Sequence, residues 1–377
     1  MSDFSKRLLS IRKNLSQRDD RIYLNTGVIG PLSAAAKLAA AEILFSSGEK
    51  NGYQLLREIA EKTRGSLARL LNAAPGEIAL KNSTTHGIYE ALWSLPWQKG
   101  DEVLISDVEH HAITRPLLQL ADRYGIVVRY FSTKDGKSAA SFKGALSDKT
   151  RLAAFSHVSY ITGERIPAKE LIAAAHQRGV PVLIDGAQAV GAVDVDLKDL
   201  DVDYYSLPGQ KWLFGPQGSA ALFVRQDVLE QYKPAINDTE KPYPYQNEKI
   251  AIDIRRFEPA LPNSFVLAGL GASVDWFLEE VGKKDAFSTI ADTVSYVRNQ
   301  LASIEDISLI TPDSFAGLVA IKVLKKDPKE LLSYLGEQKI FARTVDPFGY
   351  LRLSFSYFVT PEETDRLLTS IRTFLSQ

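Results

Sequence analysis

The stretch "VLIDGAQAVGAVDVDLKDLDVDYYSLPGQKWLFGPQG", Val182 to Gly218, contains two apolar runs, and each gives way to residues with chemistry. "PVLID" ends on Asp185 with Gln188 three positions on, and "VDYYSL" is followed closely by Gln210 and Lys211. A short apolar run bounded by turn residues reads as a buried strand. Polar residues beyond its carboxyl end stand where α/β sheets gather their ligand groups.

Working outward, the runs "EIALKN", "EVLISD", "VVRYFS", "RLAAFSHV" and "SAALFV" alternate with helical patterns between about residues 77 and 225. This alternation predicts an α/β fold with a mainly parallel, seven-stranded sheet flanked by helices. The residues after these runs are again polar: Ser83, Thr84 and Thr85, then Asp107, Glu109 and His110, then His157 and Ser159. "YKPAINDTEKPYPYQNEK", Tyr232 to Lys249, has no clear period and reads as a surface excursion. "VLAGLGASVDWFLEEVG" predicts a long helix that leads to a smaller α+β unit containing "LVAIKV" and "YLRLSFS". The expected division is an N-terminal amphipathic helix over 1–20 (Leu8, Leu9, Ile11, Leu15) packing with the small domain, a large domain over 21–284, and the small domain over 285–377.

Composition narrows the function. The 377 residues, 45% hydrophobic, suffice for two buried cores. Lys and Arg total 45 against 46 acidic residues, a net charge of -1, so nothing electrostatic favours nucleic acid or an anionic membrane as partner. No segment approaches the roughly 18 uncharged apolar residues of a membrane span. A cytoplasmic protein acting on a small molecule is expected. The absence of cysteine removes disulfides, thiolate metal sites and a cysteine nucleophile together, and no metal site is expected.

A lysine and a carboxylate at neighbouring strand ends match what pyridoxal 5'-phosphate asks of a protein: an amine for a Schiff base and an Asp to keep the ring nitrogen protonated. Lys211 and Asp185 are the candidates. Taken singly, Asp185 could equally cap a helix and Lys211 could be a surface lysine. "NSTTHGIYEAL" adds hydroxyls at a predicted helix start, where backbone N–H groups and the helix dipole favour a phosphate. In "DVEHHAI", His110 follows a strand and could lie against a flat ring; His86, His157 and His176 have no comparable argument.

Together these segments resemble the class V aminotransferases of pyridoxal phosphate fold type I, a family that includes cysteine desulfurases, cystine lyases and isopenicillin epimerase-like proteins. The resemblance runs from "YLNTG" through "STTHGIYEAL", "GDEVLISDVEHHA", "VLIDGAQAVG", "GQKWLFGPQG" and "RRFEPALPNS" to "LRLSFSYFVTPEETDRL". It implies that Lys211 carries the cofactor as a Schiff base and acts as catalytic base, that Asp185 pairs with the ring nitrogen, and that Gln188 bonds the phenolic oxygen. It further implies that His110 stacks on the ring and takes part in catalysis, and that Thr84, Thr85 and Gln210 serve the phosphate. Arg352 would take the substrate carboxylate, with Arg343 a second candidate and Asn25 completing the substrate pocket. Alternation in "YLRLSFSY" puts Arg352 on the face opposite Leu351, Leu353 and Phe355, a placement equally open to a charge pointing into solvent. A homodimer is implied too, since the family builds its site at a subunit boundary.

Several positions depart from the family pattern: Pro208 and Tyr160 replace a usual serine and asparagine, Gln210 replaces a histidine, and Leu261 replaces a threonine sent toward the partner's phosphate. Desulfurases of the family use a cysteine on a C-terminal loop; here only Val345 to Tyr350 separate "FART" from "LRLS", and no cysteine exists. The expectation is a carbon-sulfur lyase that converts cystine or cysteine to pyruvate, ammonia and a sulfur product without an enzyme persulfide. Transamination and epimerisation are the alternatives within the family. A catalytically silent scaffold is the alternative of another class, and keeping Asp185, Gln188 and Lys211 together argues against it.

Overall fold

The computed structural model describes residues 3–16, 20–46, 52–231, 254–258 and 260–377. The strands are β1 (Ile22–Tyr23), β2 (Ile78–Lys81), β3 (Glu102–Ser106), β4 (Val127–Phe131), β5 (Thr150–Ser156), β6 (Val182–Asp185) and β7 (Tyr204–Pro208), then β8 (Ala220–Val224), β9 (Ile307–Leu309), β10 (Leu318–Val323), β11 (Ile340–Phe341), β12 (Arg343–Val345) and β13 (Tyr350–Ser354).

The seven runs read from the sequence form one sheet in the order β2-β8-β7-β6-β5-β3-β4. Its pairs are parallel except those made by β8, which runs against both β2 and β7. Every residue of β6, β7 and β8 is buried. Helices cover both faces of such a sheet, and unbroken apolar strands, rather than alternating ones, are the result. The parallel register sets Ser156 beside Asp185 and Asp185 beside Ser206, so the carboxyl ends of β5, β6 and β7 share one edge.

A second, antiparallel sheet, β12-β13-β10-β9, forms with the helices Lys283–Ala302, Pro328–Glu337 and Pro361–Ser376. The expected single long helix near residue 270 is instead an α-helix, Ser264–Trp276, that ends in a π turn, Phe277–Val281, before the next helix begins at Lys283. Gly282, at φ 83, lies on the positive-φ side that a glycine adopts without the Cβ penalty, between the two helical segments.

The N-terminal helix, Asp3–Asn14, lies against the C-terminal elements. Arg12 donates to the Phe358 carbonyl and forms a two-pronged ion pair with Glu363, a nearly buried arrangement. The chain then adds β1 in parallel beside β11 and bridges Asn25 to Ser354 before reaching the edge of the large sheet. Tyr232 to Lys249, read as a surface excursion, lies outside the described residues. No helix among the described residues is long and apolar enough to cross a membrane.

Candidate active site

A cleft of about 380 Å³ opens at the carboxyl ends of the central strands, between the two sheets. That volume falls within the roughly 300–1,000 Å³ usual for small-molecule sites. Concavities elsewhere have less to recommend them; the one lined by Pro181, Asp201 and Asp203 opens at the amino ends of β6 and β7, away from the edge where α/β sheets bind ligands.

Asp185, the last residue of β6, is 3% exposed. Its carboxylate accepts from the Ala187 amide at 2.8 Å. Burial raises its pKa, and the nearby Lys211 ammonium opposes that rise. A carboxylate so placed favours a cation facing it. Lys211 lies beyond β7 on a turn whose next residues include Phe214 in a left-handed conformation (φ 56), a strained arrangement for a bulky residue. Gly30 holds that turn from the other side: its amide bonds the Gln210 carbonyl at 2.7 Å, and any Cβ there would collide with the Lys211 carbonyl and the Phe214 ring. Burial and the charges of Arg352 and Arg343 lower the Lys211 pKa to about 8, with Asp185 pulling the other way. Roughly a tenth of the amine is therefore free at pH 7, far more than for an ordinary lysine.

Gln188 has both ends of its amide engaged: Nε2 donates to the Gly27 carbonyl at 2.8 Å, and Oε1 accepts from the Trp212 indole at 3.0 Å. One N–H of Nε2 remains for a ligand. His110 caps the helix His111–Tyr124, its Nδ1 accepting from the Ala112 amide at 3.1 Å. Burial first, then His111, Lys211, Arg352 and Arg343, push its pKa to about 3. The ring is thus neutral, and it meets Tyr160 edge-on with centroids 4.9 Å apart.

At the opposite wall, Ser83 caps the helix Thr84–Trp93 by accepting from the His86 amide. The amides of Thr84 and Thr85 have no helical acceptor, as at any helix start. Ser206 Oγ ties this start to β7 through the Thr84 carbonyl at 2.9 Å. Beside it, Gln210 Oε1 is buried with no partner.

Arg352 comes from β13 and is 1% exposed, so the solvent-facing reading of this residue is corrected. Both faces of β13 are buried because the second sheet closes over the cleft. Its Nη1 donates to the Tyr160 carbonyl at 3.0 Å, while Nε and Nη2 have no partner. Burial and Arg343 lower its pKa to about 9, which leaves it charged at neutral pH. Arg343 lines the same wall.

The structure therefore brings together Thr84, Thr85, His110, Asp185 and Gln188 with Gln210, Lys211, Arg343 and Arg352. Asn25 is not on the cleft wall; it stands two residues before Gly27, which is, and bridges to Ser354. Leu261 is half-buried in a separate concavity beside Arg64 and Glu258. Sequence reasoning missed His111 and Asp346 on the wall. It also gave no role to Glu109, which accepts from the Ser156 amide and hydroxyl at 2.9 and 2.7 Å and is pushed up to about 7 by burial. The signal for Glu109 was its position directly before His110.

An amine, a buried carboxylate near it, a helix start with free backbone amides and threonine hydroxyls, and a buried guanidinium with free nitrogens make a set of groups that fits pyridoxal phosphate with an amino acid beside it. Comparison with known proteins agrees. The aminotransferase class-V profile matches residues 44–367. A cysteine desulfurase of Enterobacter sp. (strain 638) is 32% identical over 340 residues, covering 83% of this chain and 81% of its own. Among solved structures, a mutant of C-DES with glycine covalently linked to its PLP cofactor superposes with a TM-score of 0.89 at 28% identity, over 95% of this chain and 98% of that one. The complex of the cystine C-S lyase C-DES with its product cysteine persulfide gives a TM-score of 0.87 at 28% identity, over 93% and 97%. With the match spanning most of its length, this chain belongs to the class-V aminotransferase family.

Proposed function

We propose that the protein is a pyridoxal phosphate-dependent carbon-sulfur lyase that eliminates sulfur from the β-carbon of cystine or cysteine, leaving pyruvate and ammonia. The observation that carries this reading is the convergence of Lys211, Asp185 and Arg352 on one cleft in a chain without any cysteine. The likeness to C-DES supports it.

When bound, the cofactor withdraws electrons from the substrate's Cα and so acidifies the proton there. Lys211 would hold it covalently, Asp185 would stabilise its ring cation, and the free N–H of Gln188 would bond its ring oxygen. The helix start at Thr84 and Thr85, with Gln210, would serve the phosphate. His110, neutral throughout the physiological range, would offer a flat uncharged face. Arg352 would take the α-carboxylate on Nε and Nη2 and so orient the Cα–H bond toward Lys211, whose amine accepts the proton. As that proton leaves, the Cβ–S bond breaks with its electron pair on sulfur. The sulfur product then departs free, since no thiol of this chain can accept it.

Incubating the cofactor-loaded protein with cystine and assaying pyruvate tests the reading. Release of pyruvate with a persulfide supports it. Amino-group exchange with a keto acid and no pyruvate would replace it with transamination.

We also infer a homodimer. The helix Ala34–Ser46 exposes Leu38 and Phe45 at 72% and 88%, an apolar face that a second copy would cover. Sedimentation equilibrium gives the mass directly.

A further inference from the structure

Glu109 stands directly before His110, yet it is absent from the cleft wall. Its side chain turns to two strand ends instead. Ser106 closes β3 and Ser156 closes β5, and both are buried. One Glu109 oxygen accepts from the Ser106 hydroxyl and from the Ser156 amide at 2.9 Å; the other accepts from the Ser156 hydroxyl at 2.7 Å. The register between β3 and β5 ends at Ile105 and Ala154, so this carboxyl joins the two strands beyond their last pair. Ser156 is also the residue set beside Asp185 on β6. Glu109 is thus one residue from His110 along the chain and one hydrogen-bonded residue from Asp185 across the sheet.

A joint of this kind does not need an acid. Glutamine accepts from the same amide and hydroxyl, and its Nε2 can donate to a serine oxygen. An acid brings a charge that burial and Asp185 disfavour; against the three hydrogen bonds that favour it, they hold Glu109 at its midpoint near pH 7. Around it stand Asp185 from β6 and Tyr160 beyond β5, whose pKa is raised by burial first and by Glu109 as well. The rings of His110 and His157, both pushed by burial to about 3, are neutral. Lys211 is the cation that acts on Asp185.

We propose that Glu109 is a positioning residue of the cofactor site: its carboxyl holds the approach to His110 and, coupled to Asp185, sets how much negative charge lies near the cofactor's ring nitrogen. This rests on the assignment of Asp185 to that nitrogen. Two neighbouring carboxyls resist being ionised together. While Glu109 keeps its proton, Asp185 carries the charge alone; as pH rises Glu109 releases the proton to solvent, and the added charge favours the cationic form of the bound ring. Glu109 itself touches neither substrate nor cofactor.

The test titrates the absorbance of bound pyridoxal phosphate from pH 5 to 9 in wild type, E109Q, S156A and D185N, and measures cofactor Kd in wild type, E109Q and E109A. Wild type shows an inflection near pH 7 that E109Q lacks. S156A keeps the acid but removes a donor to its charged form, so the inflection moves up by roughly 0.5–1 pH unit. E109Q, which preserves the joint, holds Kd within about twofold, whereas E109A weakens it roughly 2- to 10-fold, the scale of one lost hydrogen bond. An inflection that persists in E109Q and stays in place in S156A would overturn the coupling, and unchanged affinity in E109A would overturn the positioning. D185N separates the two claims. Absorbance indifferent to Asp185 sinks the ring-nitrogen assignment and the proposal with it; absorbance that answers to Asp185 but not to Glu109 overturns the proposal alone.

Discussion

Arg343 and Arg352 stand directly opposite each other on the β12–β13 ladder. Like charges in register across a strand pair are unfavourable by roughly 0.2–1 kcal/mol, and Arg352 is buried as well. The cost is tolerated where an anion is expected. R343Q should therefore raise the melting temperature of the substrate-free protein by up to about 2 °C. It should also shrink the stabilisation that an added carboxylate ligand confers. Calorimetric scans with and without ligand read both effects; an unchanged or lower melting temperature would mean that the pair costs nothing.

Replacing Arg352 tests orientation of the substrate. R352K keeps a charge but loses the paired donors that the free Nε and Nη2 provide. A charge-assisted bond is worth about 1.5–3 kcal/mol, so KM should rise roughly 10- to 100-fold. Steady-state pyruvate formation gives KM and kcat separately. A change in kcat alone would place Arg352 elsewhere in the mechanism.

The Lys211 amine titrates near 8 in the folded protein, below the ordinary lysine value, because it is desolvated and faces Arg352 and Arg343. Between about pH 8 and the unfolded value near 10.4 the unfolded chain holds a proton there that the folded chain lacks. Stability of the cofactor-free protein should gain from this group as pH rises across that window, and the penalty should be fully present below pH 8. K211M, which has no charge to desolvate, should melt higher than wild type at pH 7, and the difference should narrow toward pH 10. Cofactor capture needs the free amine, so its rate should climb through pH 8. His110, depressed to about 3, should add no inflection between pH 5 and 7.

The helix start at Thr84 gives a prediction about the cofactor alone. T85V removes one hydroxyl donor but leaves the helix cap at Ser83 in place. Loss of one hydrogen bond, about 0.5–1.5 kcal/mol, should weaken pyridoxal phosphate affinity roughly 2- to 10-fold in an absorbance titration. Identical affinity would move the phosphate away from this wall.

The large sheet was legible because each strand is a short apolar run and each ligand group follows one, so reading strand ends located Asp185, His110 and Lys211 without any knowledge of packing. The second wall was harder. Alternation along β13 separates Arg352 from Leu351 and Leu353, but it cannot say that a second sheet covers the polar face, and burial of that face is a long-range fact. Asp346 reaches the cleft only because the hairpin turns in four residues, and nothing local marks a turn aspartate as a wall residue. Asn25, put in the substrate pocket by the resemblance, is not among the residues lining the cleft; it bridges to Ser354 two residues before Gly27, which is. The break at Phe277–Val281 left no proline to announce it, only Gly282 beyond it.

The account depends on one covalent attachment above all. The protein should be incubated with pyridoxal phosphate, reduced with borohydride, digested and mapped by mass spectrometry. The account predicts a single pyridoxyl modification on Lys211, absent from K211A and diminished in Asp185→Ala. A modification at another lysine, or none, would contradict it.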